Sequence, residues 1–216
     1  MKKSRFVQFL VLLLVVSLPV WAQYSSNAAA GASQVAISFA GGSTWTSATT
    51  GICIWYFPVV GNLDAGALFA TDSTGTPVVD RAHSYLIWVS DFSVQPLPVT
   101  SYFLALAPAG QATIYYTNRP DTRNFSDLTK RSTWGEPVAT FIREASIVRS
   151  GDNLTTDTFI FSANLISSNT VSLNGIQFDF NNLIPHGMTC FEWGQNGSSW
   201  EAGNCLAIGA AGGGRR

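Results

Sequence analysis

From Val35 onward, short apolar runs alternate with clusters of Gly, Pro, Asn and Asp. The runs are rich in β-branched and aromatic residues, and none shows a sustained helical repeat. This pattern is typical of strands separated by turns. It predicts strands at 35–40, 51–60, 66–70, 84–92, 101–107, 111–117, 137–149, 157–166, 169–173, 176–181, 188–193 and 200–208.

Two of these runs, 52–57 and 85–89, are apolar at consecutive positions. Because neighbouring residues of a strand point to opposite faces, both runs should be central strands covered on both sides. Asn174-Gly175 is typical of a type I′ hairpin turn, which would pair Leu173 with Ile176.

Hairpins follow one another in the second half of the chain, and no long helices separate the strands. A parallel α/β fold is therefore disfavoured. We expect an all-β fold, a single antiparallel domain over 35–208, with at most one short helix near 124–131. A two-sheet β-sandwich and a closed meander β-barrel both fit, and we prefer the sandwich.

The first residues have the parts of a secretory signal peptide. A basic start precedes the apolar run 6–16, which is shorter than the roughly 20 residues needed to cross a bilayer. We expect cleavage after Ala22, so that 1–22 is removed and no membrane span remains. Residues 23–34 should be a flexible lead-in and 209–216 a Gly-rich disordered tail. The protein is therefore expected to be secreted, periplasmic or extracellular, and the short basic leader is typical of a bacterial protein.

Only 12% of the residues are charged, compared with about 25% in most globular proteins. Without the leader, 9 basic residues remain against 13 acidic ones. A chain with more acidic than basic residues has no excess of positive charge to form the basic surface that nucleic-acid binding requires. We therefore exclude nucleic acid as a partner.

Cys190 and Cys205 flank a Gly- and Ser-rich turn. If the hairpin is centred on Gly197-Ser198, the two cysteines lie directly opposite each other, within disulfide distance. A metal site formed with His186 is the alternative, but the paired spacings of zinc ligands are absent. We predict the disulfide, a buried free thiol at Cys53, and no metal or cofactor.

Charge is concentrated at 119–136, a segment that contains Arg123, Arg131 and Trp134. It could form an arginine-lined lip with an aromatic platform for an anionic or sugar ligand. It could also be a solvent-exposed loop whose charged side chains form ion pairs with each other. We prefer the second interpretation.

Arg143 and Glu144 are neighbours within the strand 137–149, so one of them should face the interior. A buried ion needs a partner or changes its pKa. Three outcomes stay open: a structural ion pair, a bulge that turns both side chains outward, or a site inside a barrel mouth.

No linear motif of a nucleophile, metal or phosphate site is found. Trp193 and Trp200 flank the last turn, where at least one should be exposed, as in a platform for a carbohydrate or an apolar ligand. His186 lies in a turn, and Glu192 lies near the turn that the tryptophans flank.

We therefore expect a secreted non-catalytic β-domain that binds a small molecule or glycan. The alternatives are a secreted hydrolase or isomerase with an acid/base site inside a barrel, and a structural or envelope-associated protein. The binding candidates are Arg123, Arg131, Trp134, Arg143, Glu144, His186, Glu192, Trp193 and Trp200.

Overall fold

A computed structural model describes residues 35–93, 95–96, 102–105, 110–127, 130–149, 157–194 and 201–208. The predicted signal peptide (1–22), lead-in (23–34) and tail (209–216), together with Trp200, lie outside these ranges, so the expectations for them stay predictions. None of the helices in the described ranges has the length and apolar character needed to cross a membrane.

Strands dominate the described residues. They are β1 (Val35–Trp45), β2 (Thr50–Val60), β3 (Leu86–Ser93), β4 (Gln95–Pro96), β5 (Tyr102–Ala105), β6 (Gly110–Tyr116), β7 (Glu136–Arg149), β8 (Asp157–Ser168), β9 (Val171–Leu173), β10 (Ile176–Phe178), β11 (Met188–Gly194) and β12 (Glu201–Ala207). Short helical segments complete the described fold: α1 (Ala65–Leu68), α2 (Phe180–Leu183) and 3-10 turns at Pro120–Thr122 and Arg131–Thr133.

Eight strands form a closed antiparallel barrel in chain order, β1, β2, β3, β6, β7, β8, β11 and β12. Pairing of β1 with β12 closes the barrel. The antiparallel all-β class is confirmed, and the chain forms the closed meander barrel rather than the sandwich that we preferred. Closure supplies hydrogen-bond partners on both sides of the barrel strands. Outside this ring of eight, β5 pairs with the last residues of β7, and β4 pairs with β5 as the edge of the sheet.

All the predicted strands except 66–70 correspond to observed strands. Residues 65–68 form α1 because the Asp64 carboxylate caps the helix, accepting a hydrogen bond from the Ala67 amide at 2.9 Å. The described residues of 124–131 contain no α-helix; one 3-10 turn ends before this range, at Thr122, and the other begins within it, at Arg131.

The two ends of the barrel differ in what covers them. At one end, the connections that contain α1, the β9–β10 hairpin and α2 pack apolar side chains into the main core: Leu68, Phe69, Leu173, Phe180 and Leu183, all buried. We call this the closed end. At the other end, β1, β3, β7 and β11 finish and β2, β6, β8 and β12 begin. We call this end the mouth.

The expectation that 52–57 and 85–89 are covered on both faces is confirmed. Trp55 and Trp88 fill the barrel interior, where their rings stack with centroids 5.9 Å apart. Ile54 and Ile87 lie on the outer face, in a second cluster beneath Trp134. The second cluster explains why the runs 52–57 and 85–89 are apolar on their outer as well as their inner face.

Both predicted hairpin registers are confirmed. Leu173 pairs with Ile176 around Asn174-Gly175, whose φ angles of 47° and 89° suit a type I′ turn. In the last hairpin Cys190 pairs with Cys205, and the two form a disulfide. Cys53 is a buried free thiol, as expected.

The disulfide should be a large contributor to stability. Replacing both Cys190 and Cys205 with serine is expected to lower the free energy of unfolding by about 3 kcal/mol, because the bond closes a loop with a sequence separation of 15 residues. Urea denaturation of the oxidised protein and the double variant measures the difference. Thiol reductant serves as the control, since it should shift the midpoint of the wild type and leave that of the double variant unchanged. Equal midpoints for the oxidised wild type and the double variant would contradict the prediction.

Candidate functional site

Polar side chains gather inside the barrel just below the mouth. The strand register brings them to one face: Cys53 lies opposite both Ser43 and Ser90, and Glu192 lies opposite Gly203. We call this group the mouth cluster, and it consists of Ser43, Cys53, Ser90, Arg143, Glu192 and Glu201.

Arg143 is the cation of the mouth cluster, and its side chain is 0% exposed. Its Nη1 donates a hydrogen bond to Ser90 Oγ at 3.2 Å. The centre of the guanidinium lies 4.6 Å from the Phe161 ring and 5.0 Å from the Phe159 ring. Aromatic faces attract a cation, so these rings partly replace the water that burial removes.

Glu144, the next residue, lies on the opposite face of β7. Its carboxylate is exposed and accepts a hydrogen bond from Asn164 Nδ2 at 2.7 Å. The expectation that one residue of this pair faces inward is therefore confirmed, with Arg143 inside. The β7–β8 register does shift between Arg143 and Ala145, but the expected bulge that turns both side chains outward is wrong, since Arg143 is buried inside the barrel.

The two carboxylates of the mouth cluster lie on neighbouring strands. Glu201 Oε2 accepts a hydrogen bond from Trp55 Nε1 at 2.8 Å, and Oε1 accepts one from the Ser43 hydroxyl. Glu192 lies deeper and is 5% exposed. Because Glu192 pairs with Gly203 and Glu201 pairs with Gly194, the two acids are diagonal neighbours on the inner face.

Burial and charge act together on the ionisable groups of the cluster. Burial lowers the pKa of Arg143, and the nearby Cys53, Glu192 and Glu201 oppose that shift. Burial raises the pKa of the Cys53 thiol, and the negative charges of Glu201 and Glu192 raise it further. The thiolate is the nucleophilic form of cysteine, so these effects suppress nucleophilic chemistry at Cys53.

A depression of about 320 Å³ opens at the mouth. It lies at the rim where β2 begins and β3 ends, and its lining includes Thr46, Thr50, Ile52, Phe92 and Ser93. Trp45 lies beside it, 49% exposed, with its ring edge-on to Phe92 at 5.0 Å. Phe92 connects the depression to the mouth cluster, because its ring centroid lies 6.0 Å from the Arg143 guanidinium.

Trp134 and Arg123 lie on the outer wall of the barrel, away from the mouth cluster. Trp134 is 0% exposed and packs in the outer cluster with Ile54 and Ile87, so it presents no face to a ligand. Arg123 donates to the carbonyl oxygens of Trp134 at 3.0 Å and Tyr85 at 2.8 Å. Burial lowers the pKa of Arg123 to about 10. Through these contacts, both residues hold the charged segment 119–136 against the outer wall of the barrel.

The charged segment also contains ion pairs. Arg131 Nη2 lies 2.5 Å and 2.7 Å from the carboxylate oxygens of Asp91, and Lys130 lies 3.3 Å from Asp127. Since Asp91 lines the depression, Arg131 connects the charged segment to the mouth. The Lys130–Asp127 pair agrees with the interpretation of this segment as one whose ions pair with each other, whereas Arg131 pairs with Asp91 of β3, outside the segment.

Of the remaining candidates, His186 lies away from the mouth cluster. His186 is exposed in the turn after α2, at the closed end. Trp193 pairs with Ala202 through its backbone, while its side chain lies outside the described set, as does all of Trp200.

Trp45 and Glu201 are site residues that the sequence reasoning missed. A signal for Glu201 existed: once Cys190 and Cys205 face inward, alternation along the strands also turns Glu192 and Glu201 inward. Trp45 had a weaker signal, as a tryptophan at the end of a strand before the Thr- and Ser-rich turn 46–49.

The mouth therefore combines hydrogen-bond acceptors on two carboxylates, hydroxyl groups at the rim and an exposed aromatic ring. Within the part of the chain that the structure describes, no three His, Cys, Asp or Glu side chains are placed to hold a metal ion. Compared with known proteins, the chain matches no family model, no curated protein and no solved structure.

Proposed function

We propose that this protein is a secreted, non-catalytic barrel that binds a hydroxyl-rich small molecule or a glycan at its mouth. The observation that carries the proposal is the half-exposed Trp45 ring set against Phe92 beside a depression of about 320 Å³. Ligand sites typically begin at about 300 Å³ and combine aromatic walls with a few polar groups.

The chemistry of the rim suits a sugar. The apolar face of a sugar ring can lie on the exposed Trp45 ring, which supplies a large rigid contact. Thr46 and Thr50 are 3.0 Å apart at their hydroxyl oxygens, and Ser47 Oγ lies 2.7 Å from Thr50 Oγ1. Hydroxyl groups both donate and accept, so this rim can exchange its internal hydrogen bonds for bonds to a ligand.

An acid/base enzyme is the second candidate, and one observation favours it. Arg143 and Glu192 share the barrel interior, as a site inside a barrel requires. Other observations favour binding instead. Arg143 is 0% exposed and Glu192 is 5% exposed, while His186 and Glu144 lie elsewhere. A general acid or base must come within hydrogen-bonding reach of the substrate. The burial of Arg143 and Glu192 keeps both groups out of reach of a substrate at the mouth.

Truncating Trp45 tests the proposal. Labelled wild-type protein should be retained by a subset of glycans on an array, and Trp45→Ala should weaken binding to those glycans by about tenfold or more, since aromatic anchors dominate binding energy. Titration calorimetry with the retained glycans supplies the affinities. Phe191→Ala is the matched control, because Phe191 is 41% exposed on the outer wall. Equal losses in the two variants, or no retention of the wild type, would contradict the proposal.

A further inference from the structure

A second cavity lies at the closed end, between the strand ends and the β9–β10 hairpin. Its volume is about 340 Å³, within the range of small-molecule sites. Tyr85 directly precedes β3 and Tyr116 ends β6, so both tyrosines reach this end of the barrel. The lining residues, all within the described ranges, are Tyr85, Tyr116, Asn118, Ser172, Asn174 and Gly175. We call this cavity the hairpin pocket.

Hydrogen bonds hold the walls of the hairpin pocket in place. The Tyr116 hydroxyl donates to the Ser172 carbonyl oxygen at 2.8 Å, which ties β6 to β9. Asn174 Nδ2 donates to the Gly66 carbonyl oxygen at 3.1 Å, which ties the hairpin turn to α1. The Tyr85 and Tyr116 rings also pack against the main core. A pocket whose walls are fixed before binding loses less conformational entropy when a ligand enters.

Three lining side chains keep hydrogen-bonding groups for a ligand. Within the part of the chain that the structure describes, the Tyr85 hydroxyl, the Asn118 amide and the Ser172 hydroxyl make no hydrogen bond, and Asn118 and Ser172 are exposed. An amide offers a donor and an acceptor in one plane, and a hydroxyl offers both. Adjacent hydroxyl groups of a sugar present the complementary donors and acceptors, and the C–H face of its ring can pack on a tyrosine.

The lining of the hairpin pocket carries no formal charge. Arg123 contacts the Tyr85 backbone, but its guanidinium is buried and donates to three backbone carbonyl oxygens. It is therefore not available to bind a carboxylate or a phosphate. Burial raises the pKa of Tyr116, and the neighbouring Tyr85 and Glu136 raise it further, so the phenol keeps its proton. This chemistry suits a neutral polar ligand.

We propose that the hairpin pocket is a second binding site, which takes a neutral sugar ring at the end of the barrel opposite the mouth. The tyrosine rings contact the C–H face of the sugar, and Asn118 and Ser172 exchange hydrogen bonds with its hydroxyl groups. The pocket shares no lining residue with the depression at the mouth, so either site can bind without the other.

Nuclear magnetic resonance of the isotope-labelled protein tests the site. The probes are the methyl glycosides of glucose, galactose, mannose and N-acetylglucosamine, with a capped trialanine peptide as a neutral probe that has no sugar ring. At least one glycoside should shift the Asn118 and Asn174 side-chain amide signals in a saturable way. No shift at glycoside concentrations that detect millimolar dissociation constants, or equal shifts with the peptide, would overturn the inference.

Trp45→Ala separates the hairpin pocket from the mouth. The amide shifts should persist in this variant, and their disappearance would place the ligand at the mouth and overturn the inference. Persistent shifts, in a protein whose Trp45 and Phe92 signals respond to no glycan, would support the pocket and contradict the proposed function of the mouth. A response at Trp45 and Phe92 alone would do the reverse.

A double variant assigns the binding to the polar groups of the pocket. Replacing both Asn118 and Ser172 with alanine should weaken the glycoside affinity about tenfold or more, because two hydrogen-bonding groups are lost. The Asn174 amide reports binding in this variant. Replacing both Ser132 and Asn182 with alanine is the matched control, since these residues are exposed and neither lines the pocket. Equal affinities in the two double variants would overturn the inference.

Discussion

Replacing Arg143 with methionine is expected to lower the free energy of unfolding by about 3–5 kcal/mol, because the change breaks a buried ionic network from one side. Glu192, 5% exposed, and the partly exposed Glu201 would keep their charges in the barrel interior without the guanidinium that faces them. Urea denaturation at neutral pH measures the change. A variant as stable as the wild type would show that the guanidinium does not compensate these carboxylates.

A second substitution tests whether uncompensated carboxylates cause the loss of stability in Arg143→Met. Adding Glu192→Gln to Arg143→Met should recover part of the lost stability, since it removes one of the uncompensated charges. Interaction energies between neighbouring groups are separated by such a double-mutant cycle. Glu144→Gln is the matched control on the same strand, and its exposed position predicts little change. Strictly additive effects of the two interior substitutions would indicate that Arg143 and Glu192 are not coupled.

Replacing Trp134 with alanine is expected to lower the free energy of unfolding by about 3–5 kcal/mol, the usual cost of removing a buried large aromatic side chain. Trp134 is 0% exposed, packs with Ile54 and Ile87, and donates from Nε1 to the Asn124 carbonyl oxygen at 3.1 Å. Its loss should also destabilise the charged segment 119–136 locally. Faster hydrogen exchange of the backbone amides of this segment would detect the change.

The same variant separates a structural role of Trp134 from a role as a ligand platform. Under conditions where Trp134→Ala is folded and keeps the Arg131–Asp91 ion pair, glycan retention should match that of the wild type, because Trp134 does not line the depression. Ser132→Ala is the control, since Ser132 is exposed within the same segment. Full stability combined with loss of retention would instead identify Trp134 as part of the binding surface.

Local pattern in the sequence determined several features of the fold. The register of both hairpins followed from turn residues and alternation, so that Cys190 was placed opposite Cys205 and Leu173 opposite Ile176. A strand has a side-chain period of two, and a slip by one residue would turn a whole apolar face to water. For the same reason the sequence predicted that one of Arg143 and Glu144 would face inward.

Only the tertiary structure decided which surfaces meet. The same alternating strands suit a sandwich or a barrel, and the choice depended on pairing β1 with β12, which are far apart in the chain. The strand predicted at 66–70 is wrong because Asp64 caps α1 over Ala65–Leu68, and the apolar Leu68 and Phe69 then pack into the closed end of the barrel.

The candidate site shows the same division. Alternation turns Glu192 and Glu201 inward, but their meeting with Arg143 and Cys53 requires the barrel to close around all four residues. Trp134 lies on the outer wall because it packs against the apolar outer faces of β2 and β3 and so buries Ile54 and Ile87. Periodicity specifies the face on which a side chain lies, whereas its partners come from long-range pairing, which short-range pattern does not encode.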